Sequence, residues 1–173
     1  MLTKTYSRRD LGFGAAAIAL TACAKTGTQA EAAEVKTMTE KLTNIDWANL
    51  TEAQWEERLT PVEFHVLRKE GTERPGSSPL NNEKRAGTFV CAGCELPLFT
   101  SDKKYDSGTG WPSFFDVIDG AVETKVDRKL FVARTEYHCS RCGGHQGHVF
   151  KDGPRPTGLR YCNNGVALKF IEA

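Results

Sequence analysis

The chain lacks an excess of charge of either sign, a hydrophobic run long enough to cross a membrane, and any internal repeat. With 23 Lys and Arg against 22 Asp and Glu, it offers no broad field for gripping nucleic acid or an anionic lipid surface. Function must reside in a local site. A spanning helix needs about 20 apolar residues, and the longest uncharged apolar stretch, Leu11 to Ala22, ends after about 12. Cysteine is sparse as well: six in 173 residues cannot build a disulfide-rich miniature fold. Their placement matters more than their number, because four of them fall in two Cys-x-x-Cys pairs. The length suits one catalytic domain, with a core of about 130 residues, plus extra segments.

Residues 1–24 read as an export signal: a basic start, the short apolar run and a small-residue end. Ser7-Arg8-Arg9-Asp10-Leu11 resembles the twin-arginine motif, an address read by a receptor rather than an anchor. The end of the signal is ambiguous. Leu20-Thr21-Ala22-Cys23 resembles a lipoprotein cleavage box, and Ala22-Cys23-Ala24 resembles an ordinary small-x-small site; the lipoprotein reading is favoured. Cys23 is then either a lipid anchor or removed, and no free thiol remains there. The expected location is exported, periplasmic or membrane-anchored facing the periplasm. Residues 25–45, rich in Ala, Thr, Glu and Lys, read as a flexible linker ahead of a domain spanning 46–173.

Thr51-Glu52-Ala53-Gln54-Trp55 predicts a short capped helix. Thr60-Pro61-Val62-Glu63 predicts a second, with a capping box, proline in its first turn and Gly71 as its stop. His65 on this helix reads as a surface residue. From Gly87 onward, Thr88–Val90, Leu130–Arg134, His148–Phe150 and Val166–Ile171 are short strand-like runs separated by Gly, Pro, Asp and Asn. The fold class expected is mainly β, antiparallel, a small sheet pair or barrel-like arrangement behind short N-terminal helices, with function carried on loops.

Cys91-Ala92-Gly93-Cys94 and Cys139-Ser140-Arg141-Cys142-Gly143 form two matched knuckles. Four thiolates at about 2.3 Å would close a tetrahedral zinc site and leave no open position for catalysis, so such a zinc would be structural. The 44 residues between the pairs exceed a usual ribbon spacing, which leaves the fold open. A redox pair or two disulfides are the competing readings.

Cys162 stands apart in Leu159-Arg160-Tyr161-Cys162-Asn163-Asn164-Gly165, at a strand start beside a fixed positive charge that favours thiolate. Alone, such a cysteine would more often be a buried hydrophobe. Two clusters change that balance. Gly143-Gly144-His145-Gln146-Gly147-His148 leads straight out of the second knuckle and presents two imidazoles able to protonate a departing oxygen, although a further metal site or a surface pair is the alternative. Ser107-Gly108-Thr109-Gly110-Trp111-Pro112-Ser113-Phe114 is a glycine-hinged turn fixing an indole. The face of that indole suits an S-methyl group, although a lone tryptophan more often belongs to a core.

Together these segments resemble the B-type methionine sulfoxide reductase family in its zinc-containing form. The match runs from about Ile45 to the C-terminus, with the Ser-Gly-x-Gly-Trp-Pro-Ser-Phe turn, the His-x-Gly-His-Val-Phe loop, the Arg-Tyr-Cys-x-Asn strand and both knuckles in order. The resemblance implies two antiparallel sheets, Cys162 as nucleophile, Trp111 and Arg160 in substrate binding, and His145, His148 and Asn164 on the sulfoxide oxygen. It implies proteins or peptides carrying methionine-R-sulfoxide as substrate and one structural zinc on Cys91, Cys94, Cys139 and Cys142. The attack leaves a sulfenic acid on Cys162. Many family members carry a resolving cysteine in the Gly-x-Gly-Trp turn, where this chain has Thr109. A thioredoxin-like external thiol is therefore expected to reduce the sulfenic acid, acting on a monomer that binds no nucleic acid. A zinc-knuckle binding module and a thiol–disulfide exchanger are the alternative functions.

Overall fold

Two reciprocal capping boxes open the fold. Thr51 accepts from the Gln54 amide while the Gln54 side chain takes the Thr51 amide, starting α1, Glu52–Glu56. Thr60 and Glu63 do the same for α2, Pro61–Lys69, whose first-turn proline lacks only a hydrogen that helix starts leave unpaired. The left-handed residue that ends α2 is Glu70, φ 55°, one position before the expected Gly71. Gly71 sits next to the His65 ring, where a Cβ would collide. His65 is exposed, as expected of a surface residue.

The computed structural model describes residues 45–128 and 133–173. The expected export signal, Cys23, nearly all of the expected linker and the Leu130–Val132 part of an expected strand lie outside them. Among the described residues no helix is long and apolar enough to cross a membrane.

Among the described residues nine short strands follow: β1 Gly87–Cys91, β2 Pro97–Thr100, β3 Lys104–Tyr105, β4 Ser113–Phe114, β5 Val122–Asp127, β6 Arg134–Cys139, β7 His145–Phe150, β8 Arg160–Asn163 and β9 Leu168–Glu172. They form two sheets, three-stranded in the order β2-β1-β9 and six-stranded in the order β3-β4-β8-β7-β6-β5. The strand pairs are antiparallel. The mainly β, two-sheet expectation holds. Cys162 is the third residue of β8 rather than its first, and the expected 166–171 strand begins only at Leu168, after a 3-10 turn over Gly165–Ala167.

The two sheets meet along an aromatic seam. Phe99 of β2 stacks on Phe114 of β4 with ring centroids 4.1 Å apart, and Phe89 of β1 meets Phe114 edge-on at 5.0 Å. Tyr137 of β6 meets Phe99 at 6.3 Å and Tyr161 of β8 at 5.2 Å, both edge-on. Offset and edge-to-face rings contribute about 0.5–1.5 kcal/mol per pair beyond their burial. The consequence is positional: β4 and β8, which carry Ser113 and Cys162 opposite each other, are anchored from behind by Phe114 and Tyr161.

Helix α2 closes the end of this core. Val66 and Leu67 are buried, and Leu67 rests against Gly144 so closely that a Cβ at Gly144 would crowd it. Arg68 donates to the Cys142 carbonyl at 2.9 Å while its guanidinium lies over the buried Trp55 ring.

Candidate active site and metal centre

Cys91 ends β1, Cys94 follows in its turn, Cys139 ends β6, and Cys142 lies in the turn leading to β7. All four are buried, and their sulfurs lie within 4.8 Å of one another. Cys91 is 3.7 Å from Cys142, and Cys94 is 3.5 Å from Cys139. A tetrahedron with metal–sulfur bonds of about 2.3 Å has edges of about 3.8 Å, so the four sulfurs already stand at metal-binding spacing. No described cysteine is in a disulfide. Left to themselves the sulfurs compete for protons: hydrogen bonds from Cys142, Cys91 and Cys94 pull Cys139 far below an ordinary thiol, while Cys139 pushes Cys142 far above. A bound cation would remove that conflict. A redox role for either pair would need an accessible sulfur, and all four are shielded.

Gln146 carries the metal centre into the cavity beside it. Its amide donates to Cys91 Sγ at 3.4 Å, its side-chain oxygen accepts from Asn163 at 3.4 Å, and its backbone carbonyl accepts both the backbone and side-chain amides of Asn164, at 2.8 and 3.0 Å. Tyr137 donates to Asn163 Oδ1 at 2.6 Å. His145 directly before Gln146 and His148 two positions after it are the two histidines singled out from the sequence.

A cavity of about 160 Å³ is lined by Thr72, Trp111, Arg134, Gly147, His148, Phe150, Cys162, Asn163 and Asn164. Strand register creates it, because His148 of β7 and Ser113 of β4 flank Cys162 of β8 on either side. Gly147 is required for β7 to approach so closely, since a Cβ there would overlap the Cys162 carbonyl. Burial raises the Cys162 thiol above its ordinary value, outweighing the nearby Arg160 charge and hydrogen bonds from Thr109 and Arg160 that pull it down. Arg160 is itself held by Asp152 through two bonds of 2.9 and 2.8 Å, and it lies over Phe150 outside the cavity lining.

The histidines take different positions. His148 faces the cavity, and its Nε2 bonds Asp127 at 2.8 Å. Burial lowers its pKa; Arg134 and His145 add to that effect, and Asp127 only partly offsets it. His145 is 2% exposed and stands behind His148, ring centroids 5.6 Å apart, off the cavity wall. Its Nδ1 bonds the Glu136 carboxylate at 2.7 Å, which leaves Nε2 as the free ring nitrogen. Burial alone would raise Glu136, yet bonds from His145 and His138 hold it below the ordinary carboxylate value.

Glu73, in the segment after α2, ties the remaining parts together. Its backbone carbonyl takes the Trp111 indole hydrogen at 3.2 Å, and its amide donates to Asn164 Oδ1 at 3.0 Å. Its carboxylate receives the Gly165 and Val166 amides at 2.5 and 3.1 Å. Both ends of the Asn164 side chain are therefore engaged by backbone. Of the residues read from the sequence, Cys162, His148, Trp111 and Asn164 converge on the cavity, whereas His145 and Arg160 support it from outside. Glu73, Asp127, Glu136, Gln146 and the Thr109 hydroxyl escaped the sequence reading. Glu73 lies 91 positions from its Asn164 partner, so no spacing could reveal it.

Comparison with known proteins places this geometry. Residues 59–172 match the model of the SelR domain. A peptide methionine sulfoxide reductase MsrB of Methanosarcina barkeri is 54% identical over 121 residues, which cover 69% of this chain and 85% of that protein. One of the same name from Agrobacterium fabrum is 51% identical over 123 residues, 70% of this chain and 91% of that protein. Peptide methionine sulfoxide reductase B1 of Arabidopsis thaliana chloroplasts is 48% identical over 125 residues, 72% of this chain and 62% of that protein. The chain belongs to the SelR-domain family, that of the MsrB methionine sulfoxide reductases.

Proposed function

We propose that the protein reduces methionine-R-sulfoxide in oxidised proteins or peptides, with Cys162 as nucleophile. The observation that carries this reading is the convergence of Cys162, His148, Trp111 and Asn164 on one small cavity in a chain about half identical to MsrB reductases. The cavity has room for the end of one side chain. The indole of Trp111 offers an apolar face to the S-methyl group, and the polar groups opposite receive the oxygen.

The proton balance closes within the site. Cys162 begins as a thiol and His148 as a neutral imidazole, since burial moves both away from charge. The Cys162 proton passes through His148 to the sulfoxide oxygen as the thiolate attacks sulfur, while Asp127, bonded to His148, supports the charged imidazole. Attack joins the two sulfurs, and the protonated oxygen then moves from the methionine sulfur to Cys162 as the S–S bond breaks, so methionine leaves as a thioether: one thiol and one sulfoxide give one sulfenic acid and one thioether. A first external thiol then forms a mixed disulfide with loss of water, and a second frees Cys162. A thioredoxin-like protein suits this role, because the other four described cysteines lie in the metal cluster.

Zinc is the ion that best suits a closed, all-sulfur, buried tetrahedron, and on this reading it holds Cys91, Cys94, Cys139 and Cys142 and performs no chemistry. We assign the protein as a monomer exported to the periplasm, with Cys23 as a lipid anchor if the lipoprotein box is used. The support is the twin-arginine-like segment and the short apolar run.

Three outcomes test the reading. Wild type should reduce R but not S methionine sulfoxide peptides, and Cys162→Ser should abolish turnover; undiminished activity of that variant, or equal use of both epimers, refutes it. Elemental analysis should find about one zinc per chain. Cys142→Ser should lose it and melt about 10 °C lower or more, whereas a metal-free wild type of equal stability contradicts the assignment. Finally, kcat/KM should fall on the acid side as His148 gains a proton, below its ordinary 6.5, and on the alkaline side as Cys162 loses its proton, above its ordinary 9.0. A profile already falling between those limits would contradict the proton route.

A further inference from the structure

The reaction cavity has room only for the end of one side chain, so the rest of an oxidised polypeptide lies on the surface around it. A larger hollow adjoins that surface. Exposed Thr72 lines the cavity and also a groove of about 730 Å³ between the start of α2, the segment after α2 and the chain that enters β9. Val62, Leu80, Val166, Leu168 and Phe170 give this groove apolar walls. Val62 is 58% exposed, an unusual position for a large apolar side chain with no partner to cover it. Apolar surface rimmed by polar groups marks a place where something docks.

Hydrogen bonds hold the groove in shape. The Glu73 carboxylate receives the Gly165 and Val166 amides at 2.5 and 3.1 Å, which ties the segment after α2 to the turn before β9, two of its walls. Ser78 Oγ accepts from the Leu80 amide at 3.1 Å and lies so close to Gly165 that a Cβ there would collide. Through its backbone the same Glu73 holds Trp111 and Asn164 of the cavity, so one residue sets both hollows. Such a groove needs little ordering when a ligand enters. Its charges are unequally committed. The Glu63 carboxylate is taken by Thr60, that of Glu73 by the two amides, and Lys169 lies 3.2 Å from Glu95. Exposed Arg74 is different: its guanidinium makes no hydrogen bond or ion pair among the described residues.

We propose that this groove binds the stretch of substrate polypeptide next to the methionine sulfoxide, taking an apolar side chain against Val62 and Phe170 and an acidic one at Arg74. Continuity chooses the occupant, because groove and cavity meet at Thr72 and a chain whose sulfoxide fills the cavity reaches the groove along the surface. Complementarity chooses its chemistry: the walls are apolar, and the one charge left open on them is a cation. The substrates favoured are then oxidised methionines with apolar neighbours. Such stretches belong to protein cores and are exposed when a damaged protein loses its fold. This inference rests on the reduction of methionine sulfoxide in the cavity.

The full-length, zinc-loaded protein is assayed with dithiothreitol, so that no protein reductant is needed. Three R-sulfoxide substrates are compared: N-acetylmethionine sulfoxide amide, which has no flanks, a peptide with Leu flanks and a terminal Asp, and the same peptide with Ser flanks. In wild type kcat/KM should be about tenfold higher for the Leu-flanked peptide than for the amide, with the Ser-flanked peptide between them. Val62→Gln, a surface change that suits a helix, should cut the advantage of Leu over Ser flanks about threefold and leave the amide unchanged. Arg74→Ser should slow both Asp-bearing peptides about threefold, again sparing the amide, and high salt should do the same to wild type. An advantage of Leu flanks that Val62→Gln does not alter overturns the groove, and peptides indifferent to both Arg74→Ser and salt overturn the acidic preference. If Val62→Gln keeps that advantage but raises KM for a thioredoxin-like reductant, or turns a dimer into a monomer, a different partner occupies the groove and the proposal falls. Equal rates of wild type on all three substrates, with Cys162→Ser inactive, remove the groove and leave the reaction standing. No turnover of any substrate removes both.

Discussion

Everything else in the fold hangs on four sulfurs contributed by two different sheets. Cys91 closes a strand of the three-stranded sheet, and Cys139 closes a strand of the six-stranded one, so a cation among them joins the sheets at one end. The aromatic seam of Phe89, Phe99, Phe114 and Tyr137 joins them along their length. β7 leaves the cluster directly, and within six residues it presents His145, Gln146 and His148. Gln146, bonded to Cys91 and to the segment after Cys162, makes the metal centre and the cavity one rigid unit. An ion held by the four sulfurs would therefore fix the shape of the cavity from outside it.

Burial dominates the electrostatics of the cavity. It pushes the Cys162 thiol up and the His148 imidazole down, so in the proposed reaction the pair would start neutral and charge would be made only as sulfur is attacked. The groups that would support such charge are in place beforehand: Asp127 on His148, and Arg160 held by Asp152 beside the sulfur. Such fixed dipoles and charges need no rearrangement when charge appears, which is where enzymes gain most.

The parts legible in the sequence were those whose signal is local. The capping boxes at Thr51 and Thr60, the two knuckles, and the Cys162 and Trp111 segments each fit within about a dozen residues. The strands β2 to β5 were not legible, because two-residue β3 and β4 have no periodicity to read and β5 is mostly exposed. The supporting carboxylates were missed for a different reason. Glu73, Asp127 and Glu136 look like ordinary surface charges in sequence, and only pairing across the fold turns them inward. In sequence, Arg160 beside Cys162 favours thiolate; in the fold, burial outweighs that charge, an effect that depends on β4 and β7 pairing on either side of β8.

The central claim is that one sulfur takes the oxygen and no second sulfur of the chain resolves it. A single turnover of reduced, zinc-loaded protein with one equivalent of an R-sulfoxide peptide, without reductant and with dimedone present, tests this by peptide mass spectrometry. The account predicts a dimedone adduct on Cys162 alone, with the other described cysteines unmodified. An intramolecular disulfide, or an adduct on any of Cys91, Cys94, Cys139 or Cys142 in place of Cys162, would contradict it.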